Sequence, residues 1–190
     1  CDQRIFVRTA VTPGRPPLLL IHGYPTASYD WIRIWPRLAA RHSLYTLDLL
    51  GFGLSDKPPG SRYPIEQQAD LCMALLGEFG VGAVHVLAHD YGDTVAQELL
   101  ARHAEGRLKV VSMVFLNGGL FPETHRARPI QKLLARPILG PLFARAMNYA
   151  KFEAAMLSVS GRQPPSREEL QDLWLLLERD DGRQAMARLI

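Results

Sequence analysis

Cysteine is scarce in this chain. The two residues, Cys1 and Cys72, cannot build a disulfide framework, and Cys72 lies among apolar positions at helical spacing, where a free thiol behaves as a small hydrophobe. Long apolar runs are missing as well. Stretches such as 18–21 and 174–177 fall far short of the ~20 residues that cross a bilayer, and the N-terminus shows no basic segment leading into an apolar one. There is no internal repeat and no low-complexity tract. No His, Cys and carboxylate cluster stands at metal-ligand spacing, so neither a metal nor an organic cofactor is expected. The turn Gly51-x-Gly53-x-x-Asp56 lacks the third glycine of a dinucleotide fingerprint. The net charge of +3 comes mainly from scattered arginine, which argues against nucleic acid as a partner. Acidic residues are absent from 125–151, which carries Arg126, Arg128, Lys132, Arg136, Arg145 and Lys151. A solvated surface is the plain reading of that stretch and contact with an anionic membrane face the sharper one.

What is present is enough for one sizeable core with a smaller appendage: 190 residues, 47% of them apolar. Strand-like segments rich in Val, Ile and Leu fall at 5–9, 18–21, 44–47, 84–88 and 110–116. The later ones alternate with helical patterns, which predicts an α/β fold with a mostly parallel, doubly wound sheet covered on both faces. Trp31, Ile34, Trp35 and Leu38 recur at helical spacing, as do Ile65, Ala69, Cys72, Leu75, Leu76 and Phe79, and both stripes read as packing faces. After Pro122 the strands stop and helices broken by prolines take over. The last of these opens on the capping box Ser166-Arg167-Glu168-Glu169, ahead of the stripe Leu170, Leu173, Trp174 and Leu177. The expected organisation is a core over residues 1–121 and a helical cap over 122–190, lying across the carboxyl ends of the strands.

The chemistry concentrates at residues 84–93, Val-His-Val-Leu-Ala-His-Asp-Tyr-Gly-Asp. An apolar strand breaks into a helix through small-x-Asp-x-small, the shape of a nucleophile elbow, with Ala88 and Gly92 as the small flanking residues. Asp90 as a plain cap of the following helix is the bland alternative. The strand at 18–21 runs into His22-Gly23-Tyr24-Pro25, a second loop at the same sheet end, so the backbone N–H groups of Tyr24 and Tyr91 can converge on one oxygen as an oxyanion hole. His22, Gly23, Pro25, His89 and Gly92 read as the scaffold around it. Asp48 and the Gly51-Phe52-Gly53 turn read as structural, and so do His42, His85 and His103.

Three segments carry a resemblance: 22–31 (His-Gly-Tyr-Pro-Thr-Ala-Ser-Tyr-Asp-Trp), 47–58, and His89-Asp90-Tyr91-Gly92-Asp93. Together they resemble the α/β-hydrolase family in its aspartate-nucleophile branch, which includes epoxide hydrolases and haloalkane dehalogenases. Residues 95–100 and 117–126 are similar, more narrowly, to the mesoderm-specific transcript group. The resemblance implies a hydrolase in which ionised Asp90 attacks a saturated carbon of a small organic molecule and forms an alkyl-enzyme ester. Water activated by a histidine would then hydrolyse that ester. Dehalogenases of the family place Asn after His-Gly and Trp after the nucleophile to hold the halide, where this chain has Tyr24 and Tyr91. Epoxide hydrolases carry an aromatic residue in a His-Gly-x-Pro motif and use lid tyrosines as acids, for which Tyr149 is the candidate here. An epoxide hydrolase-like reaction is therefore expected, with a dehalogenase-like one as the alternative.

His125 is not expected to be the base, since in the family the base follows the final strand. At the end of the last strand, where some dehalogenases carry their acid, stands Asn117. Both base and acid are thus expected beyond residue 190, which makes this the front part of a hydrolase truncated at its C-terminal side, with an open sheet edge left at its last strand. A non-catalytic scaffold that binds a ligand or partner is the competing reading. A cytoplasmic setting is the default, while the mesoderm-specific transcript likeness would carry endoplasmic-reticulum membrane association with it. Oligomeric state is left open.

Overall fold

The computed structural model describes residues 3–121, 123, 132, 136 and 139–189. Five strands form one sheet: β1 (Val7–Ala10), β2 (Pro17–Ile21), β3 (Ser43–Leu47), β4 (Ala83–His89) and β5 (Lys109–Leu116), in the order β1-β3-β2-β4-β5. β1 pairs antiparallel with β3 and all other pairs are parallel, giving the expected mostly parallel sheet. The backbone leaves central β2 towards β3 and returns to β4 on the other side. That reversal opens a crevice beyond the carboxyl ends of β2 and β4, where ligands bind in open sheets.

Alternation along the strands sorts the core onto two faces. Leu19, Ile21, Tyr45, Leu47, Val84, Val86 and Ala88 pack with α2 (Ile65–Glu78) and α3 (Tyr91–Ala104), whose contributions include Cys72, Leu76, Val95 and Leu99. Leu18, Leu20 and Leu44 face the other way, onto Trp31 and Trp35. The stripe expected to make one helix around Trp31 is split into a 3-10 turn, Ser28–Trp31, and a short α1, Trp35–Ala39. Pro36, in the first turn of α1, has no N–H to continue a helix from the residues before it.

Coverage of the sheet is incomplete at β5. It is the edge strand, and Val111, Val114 and Leu116 are 53%, 49% and 39% exposed, against the expectation of two covered faces. A bulge adds to this: Val84 pairs with Val110 and His85 with Ser112, so Val111 is skipped and the alternation of β5 breaks there.

Beyond β5 the described elements are helical: α4 (Leu139–Arg145), α5 (Tyr149–Val159), α6 (Arg167–Glu178), a 3-10 turn at Arg179–Asp181, and α7 (Gly182–Met186). The expected capping box is present, with Ser166 Oγ accepting from the Glu169 amide and Glu169 accepting from the Ser166 amide. Ala144, Met147, Phe152, Leu170, Leu173, Leu177 and Met186 form a separate small core, against which Tyr24 and Tyr29 of the sheet's loops pack. Among the described residues, no helix is long and apolar enough to cross a membrane.

Candidate active site

β4 ends at His89 and α3 begins at Tyr91, so Asp90 alone makes the strand-to-helix turn. Its backbone sits at φ 52° and ψ −114°, a conformation that L-residues avoid and that surrounding structure must impose. Three features impose it. The Asp90 amide donates to Leu116 O at 2.9 Å, tying the turn to the end of β5, and Asp90 O accepts from the Asp93 amide at 3.0 Å. Gly92 lets α3 approach β2: a Cβ there would lie 2.6 Å from both Ile21 O and His22 O. Gly23 lets the loop after β2 reach the turn, since a Cβ there would lie 2.8 Å from Asp90 Cβ.

The consequence is convergence on one atom. Asp90 Oδ1 accepts from the Tyr24 amide at 3.0 Å and from the Tyr91 amide at 2.7 Å. The structure therefore brings together Asp90, Tyr24 and Tyr91 as the sequence suggests. Two oriented N–H groups on one carboxylate oxygen favour negative charge at that oxygen. The other oxygen, Oδ2, makes no hydrogen bond among the described residues.

The scaffold residues lock the loop from below. His22 is fully buried; its Nε2 accepts from the Leu49 amide at 3.0 Å, which puts the ring proton on Nδ1, facing Gly23 O at 2.9 Å. The Phe52 ring centroid lies 4.9 Å from that of His22, 5.3 Å from that of Tyr91 and 6.4 Å from that of Tyr24, so one ring packs against the side chains of all three. Asp48 holds the neighbouring turns, accepting from the Ser28 amide through Oδ1 and the Leu54 amide through Oδ2, each at 2.8 Å. Read from sequence as turn and scaffold, Phe52 is better described as the floor of the site. An aromatic residue between two glycines next to a buried strand end was the available signal.

Two acids near Asp90 escaped notice as site residues. Asp30 Oδ2 accepts from Thr26 Oγ1 at 2.6 Å and from the Gly23 amide at 3.4 Å, and lies 3.8 Å from His89 Nδ1. The Asp30 carboxylate beside it raises the His89 pKa above its ordinary value, against the opposing effect of burial. Asp93 is fully buried and accepts from the Leu116 amide at 3.4 Å; burial raises its carboxyl pKa. Spacing gives no warning of either residue, because both act across loops that only the tertiary fold brings together.

The tyrosine hydroxyls are engaged elsewhere. Tyr24 OH donates to Met186 O at 3.2 Å and Tyr91 OH to Tyr63 O at 3.4 Å. Burial raises both hydroxyl pKa values, that of Tyr91 to about 12, and at Tyr24 the charge of Asp90 adds to the effect. Tyr149 OH donates to Glu153 Oε1 at 3.0 Å within α5, and its ring meets Trp174 at 6.4 Å between centroids. A small apolar pocket lies between the loop after β2 and the helices, lined by Tyr24, Pro25, Phe52, Leu177, Met186 and Leu189. Of the basic stretch at 125–151, His125, Arg126 and Arg128 lie outside the described residues, while Lys132, Arg136, Arg145 and Lys151 are exposed.

Known proteins share this fold. Residues 16–155 match the alpha/beta hydrolase fold family. The mesoderm-specific transcript protein of Mus musculus is 42% identical over 197 aligned residues, which cover 98% of this chain and 59% of the mouse protein. The chain thus spans about three fifths of that relative's length. An alpha/beta hydrolase fold protein from Burkholderia ambifaria superposes with a TM-score of 0.77 at 30% identity, covering 98% of this chain and 66% of its own. A haloalkane dehalogenase from Bradyrhizobium elkani superposes with a TM-score of 0.82 at 26% identity, covering 100% of this chain and 65% of its own. With the family matched from β2 through β5 and on to residue 155, this chain belongs to the alpha/beta hydrolase fold family.

Proposed function

We propose that the protein is a hydrolase that uses Asp90 as a nucleophile on a small organic epoxide. The observation that carries this reading is the pair of amide hydrogen bonds, from Tyr24 and Tyr91, on the single oxygen Oδ1. They fix the carboxylate with Oδ2 free to attack an epoxide carbon in line with the breaking C–O bond. The bond's electron pair goes to the epoxide oxygen, which takes a proton, and the product is a hydroxyalkyl ester of Asp90. Residues 122–190 act as the cap in this reading, and Tyr149 is the proton donor, exchanging Glu153 for the epoxide oxygen as its acceptor. Hydrolysis follows when water attacks the ester carbonyl and the negative charge forms on Oδ1, where the two amides hold it.

A base must activate that water. His22 has both ring nitrogens committed, and His89 turns its Nδ1 to Asp30 at 3.8 Å. The base is therefore proposed to be a histidine outside the described residues, oriented by an acid, as the family pattern implies. The described residues suffice for ester formation, and turnover requires that further group.

A dehalogenase-like reaction is the second reading, favoured by the Bradyrhizobium elkani neighbour. Against it, the Tyr24 and Tyr91 hydroxyls that stand in the halide-holding positions donate to carbonyls. The test is incubation with a phenyl-substituted terminal epoxide, then with a bromoalkane, and mass analysis of the peptide carrying Asp90. An ester on Asp90 from the epoxide, lost in Asp90→Asn, is the expected result. Labelling or turnover that persists unchanged in Asp90→Ala overturns the proposal, and an adduct from the bromoalkane alone selects the second reading.

A further inference from the structure

Asp30 sits at a junction that the sequence motifs do not explain. It belongs to the 3-10 turn Ser28–Trp31, which the core holds firmly: Trp31 is buried, the Ser28 amide donates to Asp48 at 2.8 Å, and the Asp30 amide donates to Ala27 O at 3.0 Å. From this fixed turn the Asp30 carboxylate reaches back over the oxyanion loop. One oxygen, Oδ2, gathers Thr26 Oγ1 at 2.6 Å, the Gly23 amide at 3.4 Å and, at 3.8 Å, Nδ1 of His89. Gly23 and His89 are the residues immediately before the two parts of the site, Tyr24 and Asp90.

His22 Nδ1 holds Gly23 O at 2.9 Å, and Asp30 is the side chain that holds the Gly23 amide. Tyr24 presents its N–H to Asp90 only if the peptide unit before it keeps its orientation, and that unit begins at Gly23, the residue with the fewest steric restraints. Thr26 Oγ1, whose one proton goes to Asp30 at 2.6 Å, also lies 3.2 Å from Gly23 O, so Asp30 holds the Gly23 N–H directly and Thr26, oriented by Asp30, stands against the Gly23 carbonyl. We propose that Asp30 is a positioning residue for the oxyanion hole, setting the direction of the Tyr24 N–H through Gly23 and Thr26. This rests on the reading of Asp90 as nucleophile only for its effect on chemistry; the positioning itself can be measured without any substrate.

Two variants separate positioning from charge. Asp30→Asn keeps an oxygen acceptor for Thr26 and Gly23 but removes the charge, whereas Asp30→Ala removes both. The readouts are hydrogen exchange at the Tyr24 amide and the rate of Asp90 ester formation with the phenyl-substituted epoxide. Asp30→Ala is expected to speed Tyr24 exchange by about tenfold and, by freeing the Asp90 carboxylate to turn from its line of attack, to slow labelling by about tenfold or more, with core amides of β2 and β4 still protected. Asp30→Asn is expected to restore most of both.

Unchanged Tyr24 exchange in Asp30→Ala overturns the proposal, and so does equal damage by Ala and Asn, which would assign Asp30 a purely electrostatic role towards His89. Should Asp30→Ala lose core protection as well, the pair Thr26→Val and Thr26→Ser decides: Val must reproduce the exposed Tyr24 amide and Ser must not. If the unaltered protein forms no ester at all, the nucleophile reading fails while the Tyr24 exchange result still stands.

Discussion

The Tyr24 amide and Asp90 Oδ1 are 3.0 Å apart across 66 residues of sequence, and that contact exists because Gly23 has no side chain. A Cβ at Gly23 would meet Asp90 Cβ and His89 Nδ1, each at 2.8 Å, and neither can move without disturbing the strained turn. Gly23→Ala should therefore push the loop away and cost one of the two donors on Oδ1. Loss of one donor lets the carboxylate leave its line of attack, and misplacement of that kind slows reactions by as much as about 10²-fold, which is the expected fall in Asp90 labelling rate. Gly77→Ala is the control: an added methyl in α2 meets nothing within 4 Å, so labelling should hold while stability rises by about 0.5–1 kcal/mol, read by urea denaturation.

A second prediction concerns His89. Its pKa is raised by Asp30, so protonated His89 favours the folded state. That contribution is fully present below the unfolded value near 6.5 and is lost as pH rises through the higher folded value. Asp30→Asn should bring the His89 titration, followed by NMR, back down. The stability difference between the variant and the unaltered protein should be larger at about pH 5.5 than at about pH 8.5. A His89 titration that ignores Asp30→Asn would show that the 3.8 Å approach carries no energy.

Sequence made the skeleton of the site legible because its signals are local. An Asp between two small residues at a strand-to-helix break, and His-Gly at the end of the preceding parallel strand, are each constrained within a few positions. The capping box at Ser166 and Glu169 was equally readable. What stayed hidden depends on distance along the sequence. Asp30 and Asp93 acquire their roles from Thr26, His89 and Leu116, and nothing in their own spacing announces those partners. The stripe around Trp31 misled in a different way: apolar spacing suits one helix, but Pro36 broke it into two pieces. β5 shows both expectations at once: it is the open edge expected at the last strand, and its Val111, Val114 and Leu116 lack the cover expected for a doubly wound sheet.

Phe52 supports a third prediction. It is 3% exposed and its ring touches those of His22, Tyr24 and Tyr91. Phe52→Ala should cost about 3–5 kcal/mol in urea unfolding, the usual toll of a buried ring. Under conditions where the variant stays folded, Asp90 labelling should slow more than in a core variant remote from the site, such as Leu99→Ala, which removes comparable apolar contact from α3. Equal labelling in the two variants would reduce Phe52 to ordinary core.

The fourth prediction tests how the helices beyond β5 are held over the sheet. Arg33 donates through Nε to Glu169 Oε1 at 2.5 Å and through Nη2 to Glu169 Oε2, and it also reaches Gln163 O at 3.3 Å and Pro164 O at 3.2 Å. Nearby, Tyr29 OH donates to Asp172 Oδ2 at 2.7 Å. The Arg33 guanidinium and the Ser166 amide hold the Glu169 carboxyl down at about 2, below its ordinary 4.5. A depressed carboxyl pKa stabilises the folded state above the unfolded value, and that contribution disappears as pH falls towards the folded one. Arg33→Gln should therefore melt below the unaltered protein at neutral pH, and the gap in Tm should narrow as pH drops from about 5 towards about 2. Arg33 is 47% exposed along its side chain, so added salt at neutral pH should shrink the same gap. A gap that is constant across both titrations would mean that the arginine acts through its carbonyl contacts at Gln163 and Pro164, and that the ion pair contributes nothing to seating the helices.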